Sequence, residues 1–173
     1  MMRFKRLTST DDQFYKEAMK LYSESFPLHE QRLPASQHCK LSHPEYHFNL
    51  IFDDDRFVGL MLCWETDAFL YIEHFCIFPE LRNNNYGRRA LELISQRGKT
   101  VILEIDPPVD NISVRRKGFY ERAGFVLNSY HHVHPPYHEG LPGHNLVVMS
   151  YPSILDEDEY NSFNKYLVDT VMS

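Results

Sequence analysis

Apolar runs of membrane-spanning length are missing from this sequence, and its opening Met1-Met2-Arg3-Phe4-Lys5-Arg6 has no apolar signal core. The expectation is a soluble, cytoplasmic protein without a membrane partner. A surplus of positive charge is missing too. The 18 Lys and Arg face 24 Asp and Glu, for a net charge of −6, so the overall field gives nucleic acid nothing to hold. Cysteine is scarce: Cys39, Cys63 and Cys76 are odd in number and form no close-spaced pair. That argues against a disulfide framework and for reduced, packed thiols. No internal repeat, linker or low-complexity segment divides the chain. What remains is a globular balance, 43% hydrophobic, 14% aromatic and 24% charged, in 173 residues. A single domain of that size builds a core without covalent staples.

Positive charge is concentrated locally, at Arg82, Arg88 and Arg89 and again at Arg115, Arg116, Lys117 and Arg122. In an acidic chain this suggests a small anionic ligand. The first group lies in the stretch that organises the rest. Residues 68–78 are rich in Phe, Tyr and Ile and fit a buried strand. Pro79 removes a ladder donor and ends it. From Gly87 the apolar spacing becomes three and four, placing Gly87, Ala90, Leu91 and Ile94 on one helical face. A strand feeding a polar loop that opens a helix gathers unpaired N–H groups at the positive end of the helix dipole, which is an anion site. An ordinary turn with solvated arginines would read the same way from geometry alone.

Along the chain, residues 4–7 suit a first strand. Thr10 with Gln13 resembles a capping box, followed by helical spacing through Phe14, Ala18, Leu21 and Tyr22 up to Pro27. A short helix is expected at 35–41. The runs 47–52 and 57–64, separated by Asp53-Asp54-Asp55-Arg56, read as a hairpin. Beyond the central strand and its helix come a strand at 101–105, a helix at 111–123 stopped by Gly124, and strands at 125–127 and 146–151. Between those last two lies a segment rich in His and Pro, 130–144. An acidic start at 156–159 opens a last helix carrying Tyr160, Phe163 and Leu167 on one face. The order is α+β with a mixed sheet.

Two stretches carry a family resemblance. Arg82-Asn83-Asn84-Asn85-Tyr86-Gly87, after an apolar strand and Pro79, resembles motif A of the GNAT N-acetyltransferase superfamily; Asn85 stands where that family usually has its first glycine. Asn is the residue other than Gly that best tolerates a positive φ. Arg115-Arg116-Lys117-Gly118-Phe119-Tyr120-Glu121-Arg122-Ala123-Gly124-Phe125 resembles motif B, a helix with a tyrosine that ends in Gly-Phe. The element order is similar over residues 4–151 and leaves the acidic helix at 156–171 outside. The resemblance implies a GNAT-like, mainly antiparallel mixed sheet flanked by helices, as one domain over 1–173 with an extra C-terminal helix.

It also implies acetyl transfer from acetyl-CoA to the amine of a small molecule or a peptide N-terminus, with no metal. The main chain at Asn83, Asn84, Asn85, Tyr86, Gly87 and Arg88, aided by Arg82, would hold the diphosphate, and Phe75, Cys76 and Ile77 would flank the pantetheine. Glu73 is the candidate base: an unpaired carboxylate inside an apolar strand is costly, and strict alternation puts it on the face of Phe75 and Ile77, with His74 opposite. Its alternative is an ion pair with an Arg or His. Tyr120 is the candidate acid, with a core tyrosine as its alternative. Asn111 caps the motif B helix or touches the pantetheine, and Arg115 and Arg116 reach phosphates or stay solvated. His131, His132, His134, His138 and His144 lack the spacing of a recognised metal site, and their segment is expected to border the acceptor pocket. A homodimer is possible in principle through the last helix. The alternative function is a module that holds coenzyme A without turnover, favoured by Asn85.

Overall fold

The sheet is mixed and has eight strands, one more than the seven expected, the addition lying in the His- and Pro-rich segment. The computed structural model describes the whole chain, Met1–Ser173. β1 (Met2–Leu7) is followed by α1 (Tyr15–Ser25) and α2 (Pro34–Lys40), then by an antiparallel meander of β2 (Tyr46–Asp53), β3 (Arg56–Glu65) and β4 (Phe69–Ile77). α3 (Tyr86–Ser95), β5 (Thr100–Ile105) and α4 (Asn111–Arg122) come next. β6 (Val126–Leu127), β7 (His132–His134), β8 (His144–Tyr151) and α5 (Glu157–Tyr166) complete the chain. The sheet order is β1-β2-β3-β4-β5-β8-β6, with β7 beside β8, and only β4 and β5 run parallel.

Helices cover both faces. On one, Leu60, Leu62 and Trp64 of β3 and Phe69 and Tyr71 of β4 pack on Ala18, Leu21 and Tyr22 of α1 and on Phe163 of α5. On the other, Met61, Cys63, Leu70 and Ile72 pack on Ala90, Leu91 and Ile94 of α3, with Phe119 and Tyr120 of α4 at the margin. All three cysteines are free thiols. The last helix and the π-helical turn that follows it, Leu167–Val171, belong to the core. Phe163, Leu167 and Val171 are fully buried, and burying each such side chain contributes about 1.5–3 kcal/mol.

Two caps differ from expectation. Thr10 does not cap α1: Asp12, held by Lys5, accepts from the Phe14 amide and starts the helix later, with no side-chain cap. On α4 the cap is Asp110 in a reciprocal box with Ser113, so Asn111 is the first helical residue and not the cap.

Two interruptions in the central strands create the site. β4 and β5 pair only from Phe69↔Thr100 to Ile72↔Leu103 and then part. On its other edge β4 carries a bulge, since Leu62 pairs with His74 and Cys63 with Ile72, leaving Glu73 as the extra residue.

Candidate active site

The polar loop after β4 passes through a 3-10 turn, Pro79–Leu81, into α3. Asn83 and Asn85 both take a left-handed φ of 64°, the conformation Asn accepts most readily after Gly. The amide of Arg82 still donates to Pro79 and that of Arg89 to Asn85, but no protein group accepts from the six amides of residues 83–88. Asn84 turns its own side chain back onto the Leu81 and Arg82 carbonyls. Gly87 has a packing reason: a Cβ there would lie 3.1 Å from the Phe119 ring, so its absence brings the first turn of α3 close to α4.

The cations divide. Arg89 is bound bidentately to Asp53 at 2.6 and 2.9 Å, away from the loop. Arg88 pairs with Glu92, and Arg116 with Asp106 at 3.0 Å. Arg82, Arg115 and Arg122 carry no ion pair and line the same cavity as Asn83, Asn85, Tyr86, Gly87 and Arg88.

That cavity, about 1350 Å³, runs from the loop through the gap between β4 and β5 to the far side of the sheet. Phe75, Cys76 and Ile77 border it, as does Tyr120, whose hydroxyl makes no hydrogen bond within the protein. Burial pushes the Tyr120 phenol up to about 12. Asn111 is exposed and is not part of the cavity wall.

The bulge corrects the parity argument for Glu73. The extra residue reverses the alternation, so Glu73 and His74 both face the α1 side while Phe75 and Ile77 face α3. There Glu73 is fully enclosed. Arg32 donates to its Oε1 at 2.5 Å, Tyr137 to the same oxygen at 2.8 Å, and Trp64 to Oε2 at 2.7 Å. Burial alone would raise its carboxyl; the Arg32 charge, with His74 and these hydrogen bonds, outweighs that and holds it at about 2. The ion-pair alternative is the one the geometry displays.

A second buried carboxylate escaped the sequence reading. Glu104, the first residue of β5 beyond the parted pair, accepts from the Tyr71 hydroxyl and from His132 Nε2. Burial pushes it up, but its contacts with His132 and His134 and the Tyr71 bond hold it below the usual carboxylate range. The cost argument that singled out Glu73 applies equally to a Glu inside Val101-Ile102-Leu103-Glu104-Ile105 and would have found it. As expected, His132 and His134 share one face, buried, with His131 exposed, and the segment borders the cavity. His144, distant in sequence from His29, meets it edge to face at 5.7 Å, and both line the cavity.

A parted parallel strand pair thus ends in a bare-amide loop, and comparison with known proteins gives the family. The model of the acetyltransferase (GNAT) family matches residues 12–125. This chain belongs to the GNAT family. A GNAT-family protein from Bacteroides thetaiotaomicron is 35% identical, with 98% of each chain covered and a TM-score of 0.92. That coverage takes in α5, which the family model does not reach. The ribosomal-protein-S18-alanine N-acetyltransferase from Escherichia coli shares the fold at 15% identity, 91% of this GNAT chain and 98% of that one, TM-score 0.57. An aminoglycoside 6′-N-acetyltransferase complexed with coenzyme A does so at 16%, 90% and 99%, TM-score 0.60. No protein of curated function matches the sequence. No helix of this GNAT protein is long and apolar enough to cross a membrane.

Proposed function

We propose that this protein moves an acetyl group from acetyl-CoA to the amine of a small molecule or a peptide N-terminus. The observation that carries this reading is the row of six unpartnered amides, 83–88, at the mouth of the β4–β5 gap. Amides already stripped of partners, at a helix N-terminus with Arg82 nearby, suit the diphosphate of a nucleotide carrier. Asn85 is compatible: its backbone already has the φ the turn needs, and its side chain makes no hydrogen bond that would close the loop. The free edges of the gap, beside Phe75, Cys76 and Ile77, suit an extended amide-bearing arm, and main-chain donors there suit a developing oxyanion.

Coenzyme A supplies the activated acyl group. The protein's own tasks are to hold it, to accept the amine's proton and to return one to the departing sulfur. Tyr120 reaches the gap from the α3–α4 side and is assigned the last task. Its raised pKa keeps it protonated through neutral pH, and concerted transfer to an adjacent thiolate makes it competent. Glu73 is assigned the ion-pair role, because a carboxylate held at about 2 takes a proton from an amine very unfavourably. The test is thiol release from acetyl-CoA across an amine panel, wild type against Tyr120→Phe. Binding of acetyl-CoA without release from any amine would replace this reading with that of a non-catalytic coenzyme A module.

A further inference from the structure

Among the buried carboxylates and imidazoles on the acceptor side of the gap, two imidazole nitrogens have no hydrogen-bond partner. Glu73 is saturated by Arg32, Trp64 and Tyr137. Glu104 takes Tyr71 and His132, and His132 in turn meets the Tyr160 hydroxyl through its other nitrogen at 2.9 Å. One of the two is Nδ1 of His74, whose Nε2–H donates to the Glu30 carbonyl at 2.8 Å; its ring is wedged between Tyr22 and Phe26. Burial lowers the affinity of His74 for a proton. The other is Nε2 of His134.

Resting on the transferase reading, we infer that His134 is the general base, taking the acceptor amine's proton on Nε2 while Glu104 faces the charge it gains. His134 Nδ1 lies 2.6 Å from the Pro135 carbonyl. A carbonyl can only accept, so the proton sits on Nδ1 and the lone pair on Nε2. That nitrogen is 3.9 Å from Glu104 Oε1, too far for a hydrogen bond but close enough for a strong charge interaction in a buried site. His134 is 5% exposed, borders the cavity and lies tilted against the Tyr137 ring at 5.1 Å.

The arrangement separates the two proton transfers. Glu104 extends on the α1 side of the sheet with Tyr71, and Tyr120 stands on the α3 side. An amine entering from the α1 side forms its N–C bond to the acyl carbon as the C–S bond breaks. Its proton passes to His134 Nε2, and the sulfur takes the proton of the Tyr120 hydroxyl. His134 then releases its proton to solvent and Tyr120 is reprotonated, so protons balance over the cycle. The groups facing His134 are Glu104 from β5, His74 from β4, Tyr137 from its own segment and His144, its pairing partner on β8. Of these only Glu104 is an anion.

The experiment is the pH profile of kcat/KM for wild type, His134→Gln and Glu104→Gln with the best amine of the panel. Wild type should show an acidic limb on which the rate rises with pH. His134→Gln should lose that limb and fall on the order of 10²-fold in kcat, with the KM for acetyl-CoA within about threefold. Imidazole added to His134→Ala should restore part of the rate. Glu104→Gln should shift the limb to lower pH, because the imidazolium loses its counter-charge; a merely structural role would leave the limb in place. His134→Gln that keeps both the rate and the limb overturns the inference and leaves the transferase reading standing. Should His134→Gln fail to fold, an unmoved limb in Glu104→Gln overturns it. A wild type that binds acetyl-CoA but acetylates no amine removes both.

Discussion

Arg32 and Glu73 meet at 2.5 Å with their side chains 4% and 0% exposed, although 41 residues separate them. Arg32 also donates to the Val171 carbonyl at 2.9 Å, so one guanidinium ties the π-helical turn after α5, the loop before α2 and the bulge of β4 together. Removing one member of such a pair strands the other in a dry environment.

Glu73→Gln should therefore cost on the order of 3–5 kcal/mol of stability. It should leave the shape of the pH–rate profile unchanged. The linkage sign follows from its depressed carboxyl. The contribution is complete above the unfolded value near 4.5 and is lost as pH falls through about 2. Urea unfolding at pH 7 and pH 3 should show the variant's deficit narrowing at the lower pH. A stable Glu73→Gln protein with a displaced acidic limb would return the base role to Glu73.

Tyr120→Phe removes only a hydroxyl that has no partner in the protein, so the fold should be indifferent to it. We expect kcat to drop on the order of 10²-fold, with acetyl-CoA affinity by calorimetry unchanged. Since the phenol is raised to about 12, wild-type activity should not decline through Tyr120 ionisation below pH 10 or so. An alkaline limb near pH 8 that vanishes in Tyr120→Phe would contradict the assignment.

Asn85 shapes the bare-amide loop through its backbone. At φ 64°, Asn85→Gly should bind coenzyme A as well as wild type or better, whereas Asn85→Val carries a left-handed penalty of about 1–2 kcal/mol. Calorimetric titration with coenzyme A reads the difference. Equal affinity for all three would mean that the loop is not the binding element.

Phe163 is fully buried against Phe69, Tyr71 and His132, with ring centroids 5.1–5.9 Å away. Phe163→Ala should cost about 3–5 kcal/mol, measured by denaturant unfolding. It should also perturb activity, because the same ring supports His132 and through it Glu104. A loss below 1 kcal/mol would show that α5 is an appendage.

Period and propensity made the elements legible. The meander, the strand–loop–helix at 69–95 and the Gly124 stop all follow from local rules, and Gly124 takes the positive φ of 91° that a helix stop uses. Parity across β4 was not legible. One inserted residue reverses every side chain beyond it, and the insertion is defined by pairing with β3, which single-strand alternation does not encode. The α1 cap failed for a related reason, since Lys5 on β1 claims Asp12 and relocates the helix start.

The sequence by itself determined that a bare-amide loop opens a helix after an apolar strand, because turn chemistry and helix ends are local. Its aromatic and helical spacing likewise determined the α+β class. Tertiary structure alone decided which partners each buried carboxylate receives and which imidazole nitrogens are left without one. Glu73 and Glu104 are equivalent in sequence terms, each a charge inside an apolar strand. They differ because Arg32 arrives at one and a histidine pair on β7 at the other, and a buried charge takes its character from the partner that the fold delivers.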